Sequence, residues 1–101
     1  MEEQYIIERT TDYEEDDGMR CSETDVLTNE GAFKDCIEAR KRAKALMIER
    51  YREIVKEYKD RDLKSWGCPP PGLLVDDELG EYVTCSSTQI FTFKVATIKV
   101  H

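Results

Sequence analysis

The sequence predicts an α+β fold: a small antiparallel sheet of four to five strands with one long amphipathic helix packed on one face, in the order β(β)αβββ. Three observations carry this expectation. A charged stretch from Asp35 to Asp60 repeats apolar residues at helical spacing, and Gln89 to Val100 alternates apolar with polar residues. Short runs rich in Tyr, Ile, Val and Thr, bounded by turn residues, lie on either side of the helical stretch.

The first strand is expected over Glu3 to Thr11, where Tyr5, Ile6 and Ile7 supply the aromatic and β-branched content that a pleated, half-buried surface favours. Residues 12–23 are expected to form an exposed loop, because Tyr13-Glu-Glu-Asp-Asp-Gly18 cannot bury its carboxylates and ends on turn residues. A short second strand over Thr24 to Thr28 then leads through Asn29-Glu30-Gly31 toward the helix.

Asp35, followed three residues later by Glu38, fits a capping box, in which the two side chains satisfy backbone N–H groups orphaned at a helix start. At 100° per residue, Cys36, Ala39, Ala43, Leu46, Met47, Tyr51, Ile54 and Tyr58 share one side, and Ile37, Ile48 and Val55 widen it. The opposite side carries Glu38, Lys41, Arg42, Glu49, Arg52, Lys56, Lys59 and Asp60, a mixed-charge face suited to water. Arg40, Lys44 and Arg50 border the apolar stripe, so their stems are expected against the sheet and their charges in solvent.

The helix is expected to fray from Asp60 to Trp66. Gly67-Cys68-Pro-Pro-Pro-Gly72 ends it, since proline lacks the amide donor and fixes φ. Leu73-Leu74-Val75 reads as a short strand, Asp76 to Gly80 as a turn, and Glu81 to Ser86 as another strand. In the final strand Phe91, Phe93 and Val95 alternate with Thr92 and Lys94, but the later apolar positions are Ile98 and Val100. That change of phase predicts a bulge near Ala96 or Thr97.

At 101 residues the chain is sized for one domain with a single core. Hydrophobic residues at 40% and charged residues at 37% suit a folded, water-soluble protein, and no apolar run approaches the ~20 residues of a membrane span. Met-Glu-Glu-Gln-Tyr-Ile-Ile-Glu has neither the basic region nor the apolar core of a signal peptide, so a cytoplasmic location is expected. Cys21, Cys36, Cys68 and Cys85 form no close pair and read as free thiols. A zinc site would have to draw on these scattered cysteines and on His101, the only histidine, so no metal and no cofactor is expected.

The net charge of −7 argues against binding nucleic-acid phosphates. It is also segregated: residues 1–35 hold twelve acids and three bases, whereas residues 36–60 hold eight bases and five acids. The acidic run is therefore the first candidate for a binding surface, at Asp12, Glu14, Glu15, Asp16 and Asp17. Counted from Asp12, the residues Glu14, Asp16 and Glu23 match positions three, five and twelve of a calcium-binding loop, but Asp17 stands where that loop needs glycine. Against these readings stands an ordinary solvated loop. The same carboxylates could instead mimic the phosphates of a nucleic acid in a partner's basic groove.

Arg40-Lys41-Arg42-Ala43-Lys44, with Arg50 and Arg52, points around most of the helix and is interrupted by Glu49, Glu53 and Glu57, so it reads as mixed surface rather than an anion site. Trp66 beside the prolines is either an aromatic recognition tip or, the simpler reading, an anchor of the helix end to the core. No histidine stands beside a serine or cysteine, and no glycine-rich phosphate loop is present, so no enzyme is expected. The functional expectation is a non-catalytic protein-interaction or regulatory module that can also form a homodimer. The alternatives are an acidic inhibitor of a nucleic-acid-binding protein and a small protein that sequesters a ligand between helix and sheet.

Overall fold

The structure is a computed structural model and describes residues 2–100. Its single long helix, α1, spans Cys36–Asp60. Asp35 caps it as expected: its backbone is extended, and its Oδ1 accepts a hydrogen bond of 2.8 Å from the Ile37 amide. Glu38 does not reach back to complete the box but lies 3.8 Å from Lys41 on the exposed side. At the other end, the amides of Arg61 and Leu63 bond to the carbonyls of Glu57 and Tyr58, and Tyr58 Oη donates to the Cys68 carbonyl at 3.0 Å. Those contacts satisfy last-turn carbonyls and turn the chain toward the prolines.

Five strands form one sheet: β1 (Glu2–Glu14), β2 (Arg20–Val26), β3 (Gly72–Asp76), β4 (Glu81–Cys85) and β5 (Gln89–Val100). Their order across the sheet is β2-β1-β5-β4-β3, and every neighbouring pair is antiparallel. The two longest strands, β1 and β5, pair at the centre from Glu2 opposite Val100 to Tyr13 opposite Gln89. A 3-10 turn at Thr28–Glu30 joins β2 to the segment before the helix, where Phe33 exchanges two 2.8 Å backbone bonds with Tyr5.

Strand alternation sorts the sheet into two faces. Ile7, Phe91, Phe93, Tyr82 and Thr84 point at α1 and are nearly inaccessible; they meet Ala43, Met47 and Ile54 from the helix. Each large side chain buried this way contributes about 1.5–3 kcal/mol relative to exposure, so this cluster is what commits the helix to the sheet. Thr84, a fully buried polar residue in the core, keeps its hydroxyl satisfied by donating to the Gly72 carbonyl at 2.9 Å.

Four expectations are corrected. Residues 12–23 are not a loop: Asp12, Tyr13 and Glu14 extend β1, a tight turn follows, and β2 begins at Arg20 rather than Thr24. Propensity missed this because the pairing partners of Tyr13 are Cys21 and Gln89, and a central strand is held by neighbours on both sides whatever its own preference. No bulge interrupts β5, whose register with β1 advances one residue at a time. Ile98 lies with Ala96 on the face away from α1, so the change of phase in sequence marks a change in which face is apolar. The side chain of Val100 is not among those described. Ile37 is 62% exposed, because it sits on the flank of the stripe, well around the helix from the buried line of Ala39, Ala43, Met47 and Ile54. Arg42 is not on a bare solvated face but forms a two-point ion pair with Glu30, at 2.7 Å from Nε and 3.0 Å from the second terminal nitrogen.

Candidate functional site

α1 packs on β4 and β5, touches β1 less, and does not contact β2. β2 therefore stands clear of the helix, and with the end of β1 it forms an acidic arm at the margin of the sheet, in which β1 stays paired with β5 as far as Tyr13. The radius of gyration, 15.4 Å against about 13 Å for a compact chain of this length, reflects the length of the β1–β5 ladder, as do the overall dimensions of 54 × 27 × 24 Å.

The turn of the arm is built from the acidic run itself. The Glu15 amide donates to the Met19 carbonyl at 2.8 Å, the Gly18 amide to the Glu15 carbonyl at 2.9 Å, and Asp17 Oδ1 accepts from the Met19 amide at 2.9 Å. Gly18, at φ 83°, takes the left-handed position that the turn requires. Of the sequence candidates, Glu15, Asp16 and Asp17 come together on this tip and are exposed. Asp12 and Glu14 lie on the strand below it, on the face away from α1 by alternation, with Glu14 opposite Arg20 in the register.

Glu23 projects on the other face, where its Oε1 accepts from Tyr13 Oη at 3.1 Å. Glu14 and Glu23 therefore diverge across the sheet, and the calcium-loop pattern does not converge in space. Among the described residues, no group of three or more His, Cys, Asp or Glu side chains is placed to hold a metal ion; His101 lies outside those residues.

Side chains staple the arm on both faces. Thr10 and Thr24 share a 3.0 Å hydroxyl contact on the open face, while Tyr13–Glu23 and Arg9–Asp25, the latter at 3.5 Å, bridge the strands on the helix side. The bond to the Glu23 carboxylate, with a smaller contribution from burial, pushes the Tyr13 hydroxyl up to about 12. Cys21 is also held above the ordinary thiol range, first by burial and then by the neighbouring Glu15 carboxylate. Both groups stay neutral near pH 7, so the arm offers carboxylate charge and backbone bonds rather than a nucleophile.

Trp66 does not anchor the helix. It is 80% exposed on the turn after α1, and anchoring falls to the Tyr58 hydroxyl, which donates to the Cys68 carbonyl, and to the Leu63 carbonyl, which accepts from the Cys68 amide. A cleft of ≈270 Å³ lies beside this turn, between the C-terminal half of α1, Pro71 and the β4–β5 connection at Ser86–Gln89. Its two arginines are already engaged: Arg50 donates to Glu53 at 2.7 Å and stacks 4.4 Å from the Phe91 ring centroid, and Arg61 donates to Glu57 at 3.0 Å. The stacking of Arg50 on Phe91 carried no signal in the sequence, since it joins residues from two elements.

The open face carries a second surface. Four of the exposed large hydrophobic residues, Val26, Leu74, Ile90 and Ile98, point away from α1. One transverse row there is Thr24, Thr10, Thr92, Val83 and Leu74, crossing all five strands. No described helix is long and apolar enough to cross a membrane. Compared with known protein families, curated proteins and solved structures, the chain gives no significant match.

Proposed function

We propose that the chain is a non-catalytic protein-interaction module of regulatory type, acting in the cytosol, that engages another protein through the β1–β2 arm. The observation that carries this reading is the position of the arm. No helix lies over β2, six of its seven residues are exposed, and among the described residues β1 is the only element that contacts it. Residues 12–25 hold seven acids against the single base Arg20, so the arm concentrates nearly all of the chain's excess negative charge. A charged sheet margin of this kind steers association and discriminates among partners more than it stabilises its own fold.

The test is affinity capture from cytosol at low and high salt, comparing the natural chain with a variant in which Glu14, Glu15, Asp16 and Asp17 become Gln or Asn. The reading expects the captured partner to be lost with the variant and weakened by salt. Retention of the same partner by the neutralised arm would overturn it. If the partner is a nucleic-acid-binding protein whose basic groove the arm occupies, added DNA or RNA will displace it competitively.

A second reading is a homodimer through the open face, supported by its apolar residues. Strands of 13, 7, 5, 5 and 12 residues cover roughly 700 Å² at ~3.4 Å per residue and ~4.8 Å between strands, close to the ~800 Å² each partner buries in an ordinary stable interface. Light-scattering mass tests it. A dimer that becomes a monomer on Leu74→Lys or Ile98→Lys supports the reading, and a monomeric natural chain at high micromolar concentration removes it.

A further inference from the structure

The hydrogen bonds that bracket β2 reveal which of its backbone groups are free. The Glu15 amide donates to Met19 and the Leu27 amide to Ile7, and both pairs continue the register in which Glu8 faces Val26 and Glu14 faces Arg20. In an antiparallel ladder, hydrogen-bonded and non-hydrogen-bonded pairs alternate. Cys21, Glu23 and Asp25 therefore spend their N–H and C=O groups on Tyr13, Thr11 and Arg9. The N–H and C=O groups of Arg20, Ser22, Thr24 and Val26 point outward along the edge. β2 is the outermost strand on its side, so this row has no partner within the fold.

From this edge we infer that β2 recruits an extended, basic segment of another protein, which adds as a sixth strand. The inference rests on the arm being the binding surface and specifies the partner's chemistry. Side-chain alternation sets the pattern that fits. On the helix side an added strand lies beside Glu23 and Asp25, which call for Lys or Arg at every second position. On the open side it lies beside Ser22, Thr24 and Val26, which suit Thr or Val at the positions between.

The same charges disfavour a second copy of this chain on the edge. An antiparallel pairing of β2 with itself that matches the outward groups brings Glu23 opposite Glu23 or Asp25 of the copy, setting like charges face to face, or opposite Cys21, which leaves the two Glu23 carboxylates as diagonal neighbours. The edge is thus guarded against self-pairing while remaining complementary to a basic strand. The other edge, β3, has only five residues and follows Pro69–Pro71, which leaves it a shorter template.

The experiment uses the full chain and a capped octapeptide of alternating lysine and valine, with amide exchange followed residue by residue by NMR. In the free protein the amides of Ser22, Thr24 and Val26 should exchange quickly while those of Cys21, Glu23 and Asp25 are protected. Saturating peptide should slow the first set selectively. Ser22→Pro removes an outward donor without touching the β1 ladder and should weaken the peptide about fivefold to tenfold, as expected for one net hydrogen bond. A peptide of identical charge but N-methylated on alternate backbone nitrogens should fail to bind. Equal binding of the two peptides would overturn strand addition, as would slowed exchange at amides elsewhere with these unchanged. That failure is separable from failure of the arm reading, which depends on loss of a natural partner when the tip is neutralised.

Discussion

Tyr13 Oη donates to Glu23 Oε1 at 3.1 Å across the β1–β2 ladder, tying together two residues that the sequence places in one exposed loop. The bond favours the protonated phenol and, with lesser contributions, raises Tyr13 from 10.0 to about 12. Tyr82, buried and donating to Asp77 Oδ1 at 3.0 Å, is likewise pushed up to about 12, chiefly by burial. Because the folded values lie above the unfolded one, both contributions are fully present below about pH 10 and are lost as the pH rises through about 12. Tyrosinate absorbance should show Tyr13 and Tyr82 titrating late. Glu23→Gln should bring Tyr13 closer to its ordinary value while leaving Tyr82 late.

The Glu30–Arg42 pair should matter more than the pairs along the outside of the helix. It is bidentate, the Glu30 carboxylate is 14% exposed, and it joins the 3-10 turn to α1. Arg42→Ala should lower stability by about 1 kcal/mol at pH 7, in the upper range for partly exposed pairs. Its partner holds the Glu30 carboxyl below the usual carboxylate range, so the contribution is present above the ordinary glutamate value and lost as pH falls through the depressed one. Urea unfolding at pH 7 and at strongly acidic pH should therefore show the penalty of Arg42→Ala at neutrality and its disappearance in acid.

Core truncation should be far more damaging than any change on the arm. Ile7→Ala opens a void between β1 and α1 at a fully buried position and should destabilise by about 2–5 kcal/mol, while Phe93→Ala should approach 3–5. Chemical denaturation measures both against the fourfold tip variant, whose exposed positions should shift stability little.

Gly80, at φ 68°, closes the β3–β4 turn where an added Cβ would sit 3.2 Å from Arg40 Nε. Gly80→Ala should therefore combine left-handed strain with a displaced arginine and lower stability by roughly 1–3 kcal/mol. The melting temperature should fall below that of Gly18→Ala, which carries the same left-handed strain at φ 83° but adds its methyl group to open space.

Trp66 should behave as a surface residue. Trp66→Ala is expected to change unfolding free energy by less than about 0.5 kcal/mol, and its fluorescence in the natural chain should already be that of a water-exposed indole. A large loss of stability would restore the anchoring role that the simpler reading of the sequence gave it.

What was legible in the sequence follows the range of the interactions involved. The helix ends were readable because Asp35 and the glycine-proline run act on neighbouring residues, and the alternation in Gln89–Val100 exposed the central strand. The arm was not readable, because seven acidic residues argue for a loop locally while Tyr13 is held by Cys21 and Gln89, one of them distant in the chain. The phase change at Ile98 was visible, but a single strand cannot show whether its backbone bulges or its apolar face changes. Of the candidate site, the acidic composition was apparent; the free edge of β2 required the register. The pairing of Arg42 with Glu30 likewise depends on where the 3-10 turn brings Glu30.

The most direct measurement of the central claim is hydrogen exchange on the chain in complex with a partner captured from cytosol, compared with the free chain. The account predicts that protection will be gained across residues 12–26, within them at Ser22, Thr24 and Val26, with the outer face of α1 unchanged. Protection confined to the helix surface or to the cleft beside Pro71, with the arm exchanging as in the free chain, would contradict it.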